Sequence, residues 1–188
     1  MGAIKLKIKQ TSEAYDPSVS KFLGSPTLPE GMLETLEGDV IFLLQINLEE
    51  IKDLDRENRL PHTGYLYFFL NVADGIYDLK PIVKYAPGEP TVLVDNFNEI
   101  VEGFEPFVEE YPIEFELVDE EGDGFGTKLF GVPADWNYAE EPPKLLLQFD
   151  PLEPGLGIFD SIDGLLYFFF DEKEPENLEK VNLVEEYS

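Results

Sequence analysis

Apolar and charged residues alternate in "IKLKI" (4–8) and again in "IEFEL" (113–117), the period-two pattern of a strand with one buried face. Two longer runs do not alternate. "GYLYFFL" (64–70) and "GLLYFFF" (164–170) carry no charged or amide side chain, so strands built from them need apolar cover on both faces, as central strands do. "FLLQIN" (42–47) and "LLLQFD" (145–150) predict another pair of buried strands, each interrupted by one glutamine.

These runs recur in order. "IKLKI", "FLGSP" (22–26), "FLLQIN", "GYLYFFL" and "IVKY" (82–85) are answered by "IEFEL", "LFGVP" (129–133), "LLLQFD", "GLLYFFF" and "LVEEY" (183–187), each about a hundred residues later. Five blocks in series predict an internal tandem duplication, with repeats spanning about 3–90 and 111–188 and forming one compact domain, 1–188, around a shared core. Lys5, Lys7 and Lys9 project from the first strand, and Glu114 and Glu116 from its counterpart. Either the lysines guard an exposed edge, or the two strands lie side by side near a pseudo-twofold axis and their charges pair.

Helical patterns are short. Asn47 suits the N-cap of "NLEEIKDLDREN" (47–58), with Glu50 at the capping-box position and Leu48, Ile51 and Leu54 on one face. The corresponding stretch after Asp150 is broken by Pro151, Pro154, Gly155 and Gly157. Residues 95–104 and 175–181 are further helix candidates, the latter with Pro175 in its first turn. The predicted fold class is α+β, predominantly antiparallel β with a few short helices.

Composition removes several kinds of chemistry. The chain has no cysteine, which rules out disulfides, thiol nucleophiles and cysteine-held metals, and its single histidine, His62, cannot form a two-histidine metal site. Forty acidic residues stand against thirteen basic ones, giving a formal net charge of -27. Such a surface repels phosphate backbones, so nucleic acid is not an expected partner, whereas a basic protein is. The apolar runs fall far short of the roughly 20 residues that span a bilayer. The stretch "MGAIKLKIKQ" has no uninterrupted apolar signal segment. No membrane association is expected, and the expected location is cytoplasmic.

Candidate site residues are few. His62, in the turn before "GYLYFFL", reads first as an exposed turn residue and second as a general base. Trp136, after the second G-x-P turn, caps the core or lines a ligand groove. Gln45 and Gln148 hold matched places inside apolar runs, where a buried amide must be hydrogen-bonded. "GDGFGTKLFG" (122–131) lacks phosphate-loop spacing. Asp119, Glu121, Asp123 and Gly124 match the start of a calcium loop, but Phe130 stands where its bidentate glutamate belongs. No catalytic residue, metal or cofactor is expected.

With "SKFLGSPTLPEG" (20–31), "FLLQINLEEI" (42–51), "LPHTGYLYFFLN" (60–71), "LFGVPADW" (129–136), "LLLQFD" (145–150) and "GIFDSIDGLLYFFFDEKE" (157–174) assembled, the chain resembles the YwqG-like family of bacterial proteins. The segment 86–128 looks abridged against that pattern. The resemblance implies a strand-rich, internally duplicated fold and supplies no catalytic residue. Through relatives encoded near secreted toxins, it implies by association an immunity or antitoxin role.

Two functions follow as expectations. The first is a non-enzymatic, acidic protein-binding module that neutralises a basic partner. The alternative is a small-molecule or peptide-binding protein, conceivably an enzyme, with a cleft between the halves lined by Gln45, Gln148, Trp136 and His62. Oligomeric state is left open.

Overall fold

A computed structural model describes residues 2–75, 78–119, 124–134, 142–158, 161–162 and 164–186. Its strands are β1 (Gly2–Ile8), β2 (Lys21–Phe22), β3 (Thr27–Leu28), β4 (Val40–Asn47), β5 (Tyr65–Asn71), β6 (Lys80–Ala86), β7 (Val92–Leu93), β8 (Tyr111–Asp119), β9 (Lys128–Leu129), β10 (Leu145–Phe149), β11 (Leu165–Phe170) and β12 (Val181–Glu186). Ten of them form one sheet in the order β12-β11-β10-β9-β1-β8-β2-β4-β5-β6, with every neighbouring pair antiparallel. The sheet curls until its edge strands β6 and β12 approach each other, giving a nearly closed, barrel-like shell. β3 and β7 pair separately as a small second sheet.

The alternating strands stand at the centre. β1 pairs with β8 over its whole length, with Leu6 opposite Phe115, and Lys7 forms an ion pair with Glu116. The lysines therefore guard no edge; they lie in the middle of the sheet, and cross-strand charge pairing is the reading that holds. On the other face Ile4, Leu6 and Ile113 enter the barrel interior.

The interior is a single apolar cluster in which Phe68 meets Phe168 edge-on, ring centroids 5.4 Å apart, and Phe22 meets Phe149 at 6.4 Å. Rings in this geometry contribute beyond the area they bury. The two aromatic ribbons are β5 and β11. Each lies second from a sheet edge rather than at the centre. Their double burial has another cause: one face lines the barrel interior, and the other carries an outer apolar layer. On β5 that layer joins Tyr65, Tyr67 and Phe69 to Leu28, Met32 and Phe42, backed by Val94 and Phe97. On β11 it joins Tyr167 and Phe169 to Leu145.

Bulges explain the runs of adjacent leucines. The register of β4 against β5 shifts between Phe42 and Leu44, and that of β10 against β11 between Leu145 and Leu147. The extra residue lets Leu43 and Leu44 both face the interior, and likewise Leu146 and Leu147. Gln45 and Gln148 are then turned outward, toward the covering loops.

The helical part of the predicted α+β class is reduced to short turns, leaving a mostly antiparallel β fold. Asn47 does cap α1, accepting from Glu49 N at 3.1 Å, but α1 is one turn, Leu48–Ile51. The capping box fails because Ser20 Oγ takes the Asn47 N–H and the Glu50 carboxylate takes the Ser20 N–H. Asp55 then ends the turn by accepting from Leu60 N at 2.8 Å. Within 95–104 only a 3-10 turn forms, Phe97–Ile100, and 175–181 is a pair of turns closed by Asn177 N to Glu174 O and Lys180 N to Asn177 O. Segments this short gain too few hydrogen bonds to offset helix nucleation.

Candidate functional site

Gln45 and Gln148 are fully buried, and each makes three hydrogen bonds to loop backbone. Gln45 Oε1 accepts from Thr27 N at 2.9 Å, and its Nε2 donates to Pro17 O and Val19 O at 3.1 and 2.9 Å. Gln148 Oε1 accepts from Ala134 N at 2.9 Å, and its Nε2 donates to Gly124 O and Gly126 O at 2.9 and 2.8 Å. Beside them the phenols of Tyr67 and Tyr167 donate to Thr27 O and Ala134 O at 2.9 and 3.0 Å. Each glutamine thus pins a covering loop to its half of the sheet. Both N–H groups of each amide and one acceptor site of its oxygen are spent on loop backbone, so the two glutamines hold loops in place.

His62 is half-buried in the turn before β5, and its Nε2 is buried without a hydrogen-bond partner. Trp136 lies outside the described residues, as do Glu121 and Asp123 of the calcium-loop pattern. Phe130, at the last position of that pattern, is buried in the barrel interior. Among the described residues no three histidine or acidic side chains are grouped as metal ligands.

A concavity lies elsewhere, at the seam where the edges of the sheet approach. A groove of about 830 Å³ is lined by Pro61 and Tyr85 on one side and by residues 173–179 on the other. Its lining combines Pro61, Tyr85, Pro175 and Leu178 with Lys173 and the carboxylates of Glu174, Glu176 and Glu179. Tyr85 is fixed at both ends: its hydroxyl donates to Thr63 O at 3.3 Å and its N–H to Glu179 Oε1 at 3.4 Å. Glu179 also meets Lys84 Nζ at 3.4 Å, and Glu174 pairs with Lys180. Lys180 holds the Glu174 carboxyl below its ordinary range. Glu176 is exposed and, among the described residues, is in no ion pair. His62 sits one residue from the wall that Pro61 provides.

A smaller cavity of about 400 Å³ lies over β1, lined by Lys5, Lys7, Gln10, Phe125 and Glu153 among others. Burial raises the Glu153 carboxyl above its usual range and the Asp150 charge adds to this, while the Thr127 amide opposes both. Lysine and carboxylate face each other there, so the cavity has no consistent charge preference.

A family model matches residues 20–123, more than half of the chain. The chain belongs to the DUF1963 family, a domain of unknown function. No curated protein matches it. The DUF1963 match takes in Gln45, His62 and Tyr85, and ends before β9, Gln148 and the 173–179 wall of the groove.

Sequence reasoning did not find Tyr85 or the glutamates of 173–179. The signal was present in the proline- and glutamate-rich "DEKEPENLEK", but its helical spacing hid its role as a groove wall.

Proposed function

We propose that this DUF1963 protein is a YwqG-like, non-enzymatic binding module that engages a basic protein partner, in the manner of an immunity protein neutralising a toxin. The observation that carries the reading is the excess of carboxylates, forty acidic residues against thirteen basic ones. Lys21 and Lys128 are fully buried, and Lys7, Arg59, Lys80, Lys84 and Lys180 are committed to ion pairs. Each of these ion pairs uses a carboxylate together with its cation, so the balance is unchanged and the exterior keeps the strongly negative character of the net charge of -27. Such a field accelerates association with a basic partner and makes it sensitive to salt. No described helix is long and apolar enough to cross a membrane, which fits a cytoplasmic place of action.

A second reading, a peptide- or small-molecule-binding protein with a cleft between two halves, is favoured by the seam groove, whose walls come from opposite ends of the sheet. Behind both readings we infer one domain built from tandem repeats, about 3–90 and 111–188. The support is a strand order that reads alike from either end, with matching bulges, glutamines and tyrosines.

The test is affinity capture at low salt from the native host, followed by kinetics with the purified partner. A basic partner whose association rate falls steeply with ionic strength is the expected result. Capture of neutral or acidic proteins alone, at rates insensitive to salt, overturns the proposal.

A further inference from the structure

The seam groove combines three features. Its lining includes the half-buried ring of Tyr85 together with Pro61, Pro175 and Leu178. Glu176 also lines it and among the described residues is in no ion pair, while Glu174 and Glu179 are each balanced by a lysine. Running past it is β6, which pairs with β5 on one side only and has no ladder to β12 on the other. On that open side the Tyr85 N–H donates to the side chain of Glu179, through a long bond of 3.4 Å.

An aromatic face beside an uncommitted carboxylate is what a guanidinium or ammonium group on an aliphatic stem requires: cation–π contact, a counter-ion, and apolar cover for its methylenes. An open strand edge accepts extended main chain. We propose that the seam groove is the docking site for an extended, arginine- or lysine-bearing segment of a basic protein, with one cationic side chain over Tyr85 and Glu176 as its counter-ion. A main-chain carbonyl of that segment replaces Glu179 on the Tyr85 N–H. The occupant is chosen by charge: the chain carries a net -27, and Glu176 is the groove carboxylate that no cation among the described residues balances. Pro81 leaves part of the β6 edge without a donor, which keeps it from pairing indiscriminately. This inference rests on the basic-partner reading and adds where the partner lies and which of its atoms are recognised.

The experiment uses the full chain and a fluorescein-labelled eight-residue peptide alternating arginine and threonine, with a glutamine-for-arginine peptide as control. Binding is followed by fluorescence anisotropy at low salt. Glu176→Gln and Tyr85→Leu are each expected to weaken the arginine peptide about tenfold. Glu114→Gln, the same charge change on exposed β8, is expected to leave it within about twofold, and Tyr85→Phe to retain binding. Circular dichroism confirms that each variant is folded. If Glu176→Gln and Glu114→Gln weaken binding equally and Tyr85→Leu has no effect, attraction is diffuse; the site is then wrong and the basic-partner reading stands. If neither the peptide nor any basic protein binds at low salt, both fall.

Discussion

The guanidinium of Arg59 lies 3.7 Å from the ring centroid of Phe130, joining a loop after α1 to the strand turn that follows β9. The same side chain donates to Asp55 Oδ1 and to Gly2 O, both at 3.2 Å. Three elements distant in sequence therefore converge on one planar cation. Lysine, a point charge, cannot serve all three at once.

Arg59→Ala is expected to destabilise the fold by about 3 kcal/mol, because the buried Asp55 carboxylate loses the cation it pairs with. Urea denaturation of Arg59→Ala and Arg59→Lys checks this, with the lysine variant falling between the alanine variant and the parent. Equal stability of all three would mean that the contact is idle.

Gln45→Leu and Gln148→Leu should each cost about 3 kcal/mol, since each strands one loop N–H and two loop carbonyls inside the protein. Comparable losses in the two variants are the mark of a shared structural task. A variant that keeps its melting temperature but loses partner binding would restore the glutamines as ligand-facing residues.

Gly64 admits no side chain. Its φ is +86°, and an added Cβ would come within 2.2 Å of Ala86 O and 2.9 Å of Pro87 Cα, both backbone atoms. Gly64→Ala is expected to lose about 3 kcal/mol or more, whereas Gly31→Ala meets no atom within 4 Å and carries only the conformational strain of φ +83°. Thermal melts of the pair separate collision from strain.

Alkaline titration should show buried phenols. Burial pushes the Tyr15 hydroxyl up to about 12, and the Glu110 carboxylate that accepts its hydrogen bond at 3.0 Å adds to this. Burial likewise raises Tyr65, Tyr67 and Tyr111. A phenol harder to ionise in the folded than in the unfolded chain contributes stability that is intact below the unfolded value near 10 and lost as pH rises through the folded one. Stability should hold to about pH 10 and decline toward 12. Tyr15→Phe should lessen that decline, and phenolate absorbance at alkaline pH provides the independent readout.

Strands were legible because their pattern is set by burial, which the sequence records directly. The alternation of "IKLKI" and "IEFEL" gave strands with one polar face, and their pairing as β1 and β8 was one of two arrangements open. The unbroken ribbons gave two-sided burial but misplaced it. A strand next to the edge is covered on both sides when a sheet curls and loops pack outside it, and no local pattern distinguishes this from a central strand. Adjacent leucines before Gln45 and Gln148 were the trace of a bulge, visible once alternation is expected to break there.

Helices were overread because polar side chains claim backbone groups that periodicity assigns to a helix. Asn98 takes Phe42 N–H at 2.7 Å and donates to Phe42 O and Phe107 O at 3.0 Å, and Asn177 Oδ1 takes Glu179 N–H. The groove was not legible at all. Pro61, Tyr85 and Glu176 become neighbours only when the sheet curls on itself.

The position of β1 has a consequence for biosynthesis. Its hydrogen-bonding neighbours are β8 and β9, which end at Asp119 and Leu129. A ribosome adding 5–20 residues per second leaves Ile4 and Leu6 without their partners for on the order of ten seconds. During that wait the nascent strand is an open invitation to chaperones, or to the same region of a neighbouring polysome product.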